Sequence, residues 1–186
     1  MRGYILSIWS LIDPFYYFCT RLTYLPGKDT GGNIFRVRLT KYKGRNVVLS
    51  DGTQINKNDT LVKIHLHNVR LLKELKDIEN EFKRGAIIYH YIKNSLPSVE
   101  IYIRNNRHSE KIKGIIGITQ LNRGCERLGF ENFEIANPIY KWFKFFTFMP
   151  IAMLSSPNSS IRHIVKYQKP AYLFMSSNKL TNMYRN

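Results

Sequence analysis

Acidic residues run out early in this chain: beyond Glu134 there is none, while seven bases follow, Lys141, Lys144, Arg162, Lys166, Lys169, Lys179 and Arg185. Between Pro14 and Ser50 another seven bases face a single acid, Asp29. With 29 Lys and Arg against 13 Asp and Glu, the formal charge is +16. Uncompensated positive charge repels itself in a compact chain and is tolerated best where something negative binds. The partner classes are therefore nucleic acid, an acidic polysaccharide and an anionic membrane surface. Cysteine is almost as scarce: Cys19 and Cys125 stand far apart and in no metal-ligand spacing, which reads as reduced thiols in a cytosolic setting and leaves the compartment open.

Long apolar runs are missing too. No stretch reaches the roughly eighteen residues of a spanning helix. The opening Met1 to Phe18 is apolar, but Asp13-Pro14 breaks it, only Arg2 precedes its apolar core, and no small-residue cleavage site follows. It reads as an N-terminal helix packed on the core, with no signal peptide and with the mature chain starting at Met1. Enzyme signatures are absent: there is no G-x-S-x-G, no G-x-G-x-x-G, no Walker loop and no pair of carboxylates in a recognisable frame. Repeats and low-complexity tracts are absent as well.

What is present suffices for a core. At 186 residues, 44% apolar and 13% aromatic, the chain is expected to be a single domain over 1–186. Pro26 to Asn33 reads as a loop. Phe35, Val37 and Leu39 alternate with Arg36 and Arg38, the period of two of a strand with one buried face. Val47 to Ser50, Asp51-Gly52 and Thr53 to Ile55 read as a hairpin, and Val62, Ile64 and Leu66 alternate with Lys63, His65 and His67 in another strand. An amphipathic helix is predicted from Val69 to Arg84, broken at Gly85. A second helix from Ala86 to Asn94 is predicted to stop before Pro97, with a strand over Val99 to Ile103. A polar loop from Asn105 to Lys113, a strand at Ile115 to Thr119, a short helix from Asn122 to Leu128, strands near Phe133 to Ile135 and Ala171 to Met175, and a terminal helix from Asn178 complete the expectation. Tyr140 to Met149 fits helix or strand. The fold class is α+β, a mostly antiparallel sheet with helices packed on one face.

Arg36, Arg38, Lys63, His65 and His67 share the polar face of what should be one sheet, and rows about 4.8 Å apart would bring such groups to successive anions of a linear polymer. The plain alternative is a solvated sheet face. Arg36, Arg38, Lys63 and His67 are expected to serve binding and leave stability alone, with their neighbours Phe35, Val37, Ile64 and Leu66 doing the reverse. Arg104, Arg107 and Lys111 mark a loop of bases and small polar donors that suits sugar hydroxyls and carboxylates, or is a solvated turn. Arg123 and Arg127 lie one helical turn apart, beside Glu126, and ion pairing is the plain account. His65 and His67 lack a third ligand, so no metal is expected. The run Trp142 to Phe148 reads as core, with a sugar-stacking platform or a membrane-surface wedge as alternatives.

Taken in order, Trp9, Asp13 and Tyr16, Asn33 to Val37, Leu49-Ser-Asp-Gly52, Lys63 to Asn68, Gly117 to Thr119 and Arg123 to Glu131 resemble the YkoP-like domain of Bacillus and relatives, over nearly the whole chain. The resemblance implies a glycan context, because a similar domain occurs joined to polysaccharide deacetylases. No deacetylase motif with its Asp and His ligands is present, so hydrolysis does not carry over. Gly117 to Thr119 with Glu126 to Glu131 is also similar to the C-terminal part of GNAT-type acyltransferases, though Gln120 to Gly124 lacks the second glycine of their pyrophosphate loop.

The expectation is a non-catalytic module, without cofactor or metal, that binds an acidic polysaccharide such as a glycosaminoglycan (hyaluronan) or an anionic cell-wall polymer. Arg and Lys would pair with its charged groups while His, Asn and Tyr meet hydroxyls. Nucleic-acid binding is the alternative and a GNAT-like acyltransferase the next. A membrane-surface partner is not expected, and a monomer is.

Overall fold

A computed structural model describes residues 22–26, 33–119, 124–155 and 170–185. The predicted N-terminal helix, most of the Pro26 to Asn33 loop and Arg123 lie outside them. Among the described residues there are eight strands: β1 (Thr23–Tyr24), β2 (Phe35–Lys41), β3 (Val47–Val48), β4 (Gln54–Ile55), β5 (Thr60–Leu66), β6 (Ile112–Thr119), β7 (Glu131–Glu134) and β8 (Ala171–Ser176). Helices α1 (Asn68–Glu74) and α2 (Glu81–Arg104) join β5 to β6, α3 (Pro138–Ser155) leads from β7 toward β8, and α4 (Ser177–Tyr184) ends the described chain. Six strands form one sheet in the order β1-β2-β5-β6-β8-β7, with β3 and β4 as a separate hairpin. Only the β5–β6 pairing in it is parallel, which follows from the helical crossover between those strands. The chain is an α+β protein with a mostly antiparallel sheet.

Alternation sorts the two faces as the sequence implies. Phe35, Val37, Val62, Ile115, Leu173 and Met175 bury on one side against Leu96, Val99 and Ile103 of α2 and Leu180 and Tyr184 of α4. Hydrogen bonds staple α2 to the start of β2: the Ile34 amide donates to Ser95 Oγ at 3.1 Å and Asn33 Nδ2 to the Ser95 carbonyl at 3.4 Å. The β3–β4 hairpin, turned by Gly52 at φ 81°, covers a smaller apolar cluster on the opposite face: Tyr42, Leu49, Ile55, Leu61, Ile116 and Phe174. Its tip is clasped to the sheet, since the Ser50 amide donates to Glu131 Oε2 at 2.9 Å and Ser176 Oγ donates to Asp51.

Three local expectations are overturned. The single helix predicted from Val69 to Arg84 is divided, since α1 ends at Glu74 and α2 begins at Glu81. Helix α2 runs 24 residues straight through Gly85 and Pro97, so neither the break at Gly85 nor the strand at Val99 to Ile103 exists. Asn80 caps its start, accepting from the Lys83 amide at 3.0 Å, and Leu96, Val99 and Ile103 fall on one helical stripe against the sheet. The Tyr140 to Met149 run is helical, as part of α3. While α2 and α4 pack on one face, α3 approaches the other, near enough for Tyr140 to act electrostatically on Tyr172 and Lys144 on Lys63 and His65.

Candidate functional site

The register of β2 against β5 sets Arg36 directly across from His65 and Arg38 across from Lys63. All four side chains leave the sheet opposite the main core, because Phe35, Val37 and Val62 between them are core residues. The sequence-predicted group therefore assembles. It does not form an open face, however: Arg36 is only 2% exposed, and Arg38, Lys63, His65 and His67 are half-buried. On β1, Tyr24 pairs with Arg36, its ring centroid 4.8 Å from the guanidinium carbon, and it meets the His67 ring edge-on at 6.0 Å. Arg36 thus belongs to the packing as well as to the site, and the expectation that it leaves stability alone is corrected.

Lys144 of α3 completes the cluster, its Nζ lying 5.5 Å from the Tyr140 ring centroid. Burial, then Lys144 and Arg38, pulls the Lys63 ammonium down from 10.5 to about 8. Burial and the surrounding Lys63, Arg38, Lys144 and Arg36 take His65 from 6.5 to about 3, so its imidazole is neutral at physiological pH. Lys144 is itself lowered, by burial and by Arg38. Lys63 takes part in no ion pair among the described residues. Three flexible or planar cations, Arg38, Lys63 and Lys144, are thus crowded around a neutral imidazole.

The remaining predicted residues lie elsewhere. Arg104 ends α2 and sits 3.4 Å from Glu100 one turn back. Arg107 and Lys111 are exposed just before β6, whose first residue pairs with Thr60, three positions and about 10 Å along β5 from Lys63. Arg127 is exposed in the 3-10 turn Cys125–Leu128. Beside it the Cys125 thiol, buried and next to Glu126, is pushed up to about 11, which suppresses thiolate chemistry. Among the described residues no group of three or more His, Cys, Asp or Glu is placed to hold a metal ion. Sequence reasoning missed Tyr24 and Lys144 as members of the site; two lysines inside an otherwise apolar helix were the available signal.

Fold and site together define an α+β domain with a half-buried cationic cluster between its sheet and a basic, aromatic helix. A model of the YkoP domain matches residues 2–184, and the chain is 49% identical to the uncharacterized protein YkoP of Bacillus subtilis (strain 168), over 100% of this chain and 98% of that one. The chain belongs to the YkoP family. No solved structure matches it.

Proposed function

We propose that the chain is a non-catalytic binding module for an acidic polysaccharide, a glycosaminoglycan such as hyaluronan or an anionic cell-wall polymer, and that Arg38, Lys63 and Lys144 hold one of its charged groups beside the neutral His65. The observation that carries the reading is the crowding of like charge: Lys63 is drawn down to about 8 by burial and by Lys144 and Arg38. Like charges gathered in a half-buried place raise the free energy of the folded chain, and perturbed groups of this kind concentrate at functional sites. A carboxylate, sulfate or phosphate placed among them removes the repulsion and restores the proton to Lys63. The exposed Arg107 and Lys111 would add weaker, salt-screened contacts to a longer chain.

Calorimetric titration of hyaluronan and heparin fragments, run at pH 8 in two buffers of different ionisation enthalpy beside a random-sequence RNA, tests this. The expected result is glycan binding with net proton uptake, abolished in Lys63→Met. Tighter binding of RNA with no heat from any glycan would replace this reading by nucleic-acid binding, and glycan binding without proton uptake would move the site away from Lys63.

A further inference from the structure

The aromatic run expected to be core is core on one side only: Phe145 is buried at 7% exposure, whereas Trp142 and Phe143 are exposed at 59% each. Between Phe143 and Phe145, Lys144 is half-buried and acts on Lys63 and His65, so α3 brings an ammonium to the β2–β5 pair. On the sheet, Arg38 stands directly across from Lys63, with Cα atoms about 5 Å apart. Lys63 is thus a half-buried amine between a guanidinium and a second ammonium, and no described carboxylate pairs with it. Other lysines are placed differently: Lys76, Lys141 and Lys179 lie 3.9, 3.8 and 3.3 Å from Asp77, Glu134 and Glu131. We propose that Lys63 is a carbonyl-reactive amine, and that the cluster captures a small 2-oxo acid by forming an imine at Lys63 while Arg38 holds the carboxylate.

An amine attacks a carbonyl only when unprotonated, and a desolvated lysine set beside other cations is an arrangement that frees its lone pair. With the ammonium drawn down to about 8, about one Lys63 in ten is free amine at pH 7, against roughly one in three thousand for an ordinary lysine. The neighbouring cations select the carbonyl compound. A guanidinium holds a carboxylate through two parallel hydrogen bonds. A carbonyl one bond from that carboxylate is then offered to the residue across the ladder, which is Lys63. The Lys63 nitrogen adds to the carbonyl carbon, the oxygen collects both amine protons, and it leaves as water when the C=N bond forms. The Lys144 ammonium, itself lowered by burial and by Arg38, is the acid at hand to lend a proton to the departing hydroxyl and recover one from nitrogen. Hydrolysis reverses the capture. This goes beyond the glycan reading and stands without it, since it needs only the cluster and a small ligand.

The test is reductive trapping of the full chain with glyoxylate and sodium cyanoborohydride, and in parallel with the neutral acetaldehyde, each modified lysine being located by peptide mass spectrometry. At pH 8, Lys63 should be modified by glyoxylate roughly tenfold or more faster than the exposed Lys57 and Lys111. Its rate should level off above about pH 8, while theirs keep rising. The preference for Lys63 over Lys57 should be larger with glyoxylate than with acetaldehyde. Arg38→Met should remove that difference, and Arg38→Lys, which keeps the charge without the planar fork, should retain part of it. Modification of Lys63 no faster than of Lys57 and Lys111, or the same Lys63 preference with both reagents, would overturn the proposal, the second by showing that no carboxylate is read.

Discussion

Replacing Lys63 by methionine should make the protein more stable and less able to bind. The side chain keeps its length and apolar stem while losing the ammonium that burial, Lys144 and Arg38 disfavour. A fall from 10.5 to about 8, at about 1.4 kcal/mol per unit, amounts to about 3 kcal/mol of strain on the charged form. Some of this is solvent-screened in a half-buried group, so a gain of about 1–3 kcal/mol at pH 7 is expected, or several degrees in Tm for a chain of this length. The pH dependence gives an independent check. Between about 8 and 10 the unfolded chain still holds the Lys63 proton while the folded chain has released it, so wild-type stability rises with pH across that window and the variant lacks the rise. Above pH 10 the opposite sign enters, because burial pushes the Tyr172 and Tyr184 hydroxyls up to about 12 and the folded chain then keeps protons that the unfolded chain loses. Urea melts of both proteins at pH 7, 8, 9 and 9.5 suffice. A variant no more stable than wild type at pH 7, with the same slope above pH 8, would refute the claim that Lys63 carries the crowded charge.

His65 should impose an acid limit: its folded value of about 3 lies below the unfolded 6.5, so stability falls as pH drops through that interval, by up to about 1.4 kcal/mol per unit, and His65→Leu should flatten the curve in an acid titration followed by circular dichroism. Gly114→Ala should prevent stable folding, since a Cβ there would land on the Met175 backbone carbonyl of the neighbouring strand; a Tm within a few degrees of wild type would contradict the packing described. Arg36→Ala should cost stability as well as binding, unlike Lys111→Ala, because Arg36 is buried against Tyr24 and Lys111 is exposed; thermal melts of the two compare them directly.

Local pattern was enough for β2 to β8, missed the two-residue β1, and failed where two local rules met a tertiary demand. Gly85 and Pro97 argued for stops at about 1 and 3 kcal/mol, and Val99, Ile101 and Ile103 alternate as a strand would. Yet Leu96 and Val99 at 0% exposure and Ile103 at 7% each gain about 1.5–3 kcal/mol on burial, and only a continuous helix puts all three on the sheet, so burial outweighs both breakers. The site divides in the same way. That Arg36, Arg38, Lys63 and His65 share a face follows from a period of two, which adjacent residues alone determine. That the face is half-closed does not, because Lys144 arrives from α3, across an intervening crossover, the parallel strand β6 and the edge strand β7, and no local pattern records which face a distant helix will choose. The closure is also what gives the cluster its chemistry: on an open strand face water would screen these bases to near-ordinary behaviour, whereas beneath α3 the same residues hold one imidazole neutral and one ammonium at the edge of deprotonation. The charge excess is readable from composition, but its concentration into one half-buried cluster is a property of the packing.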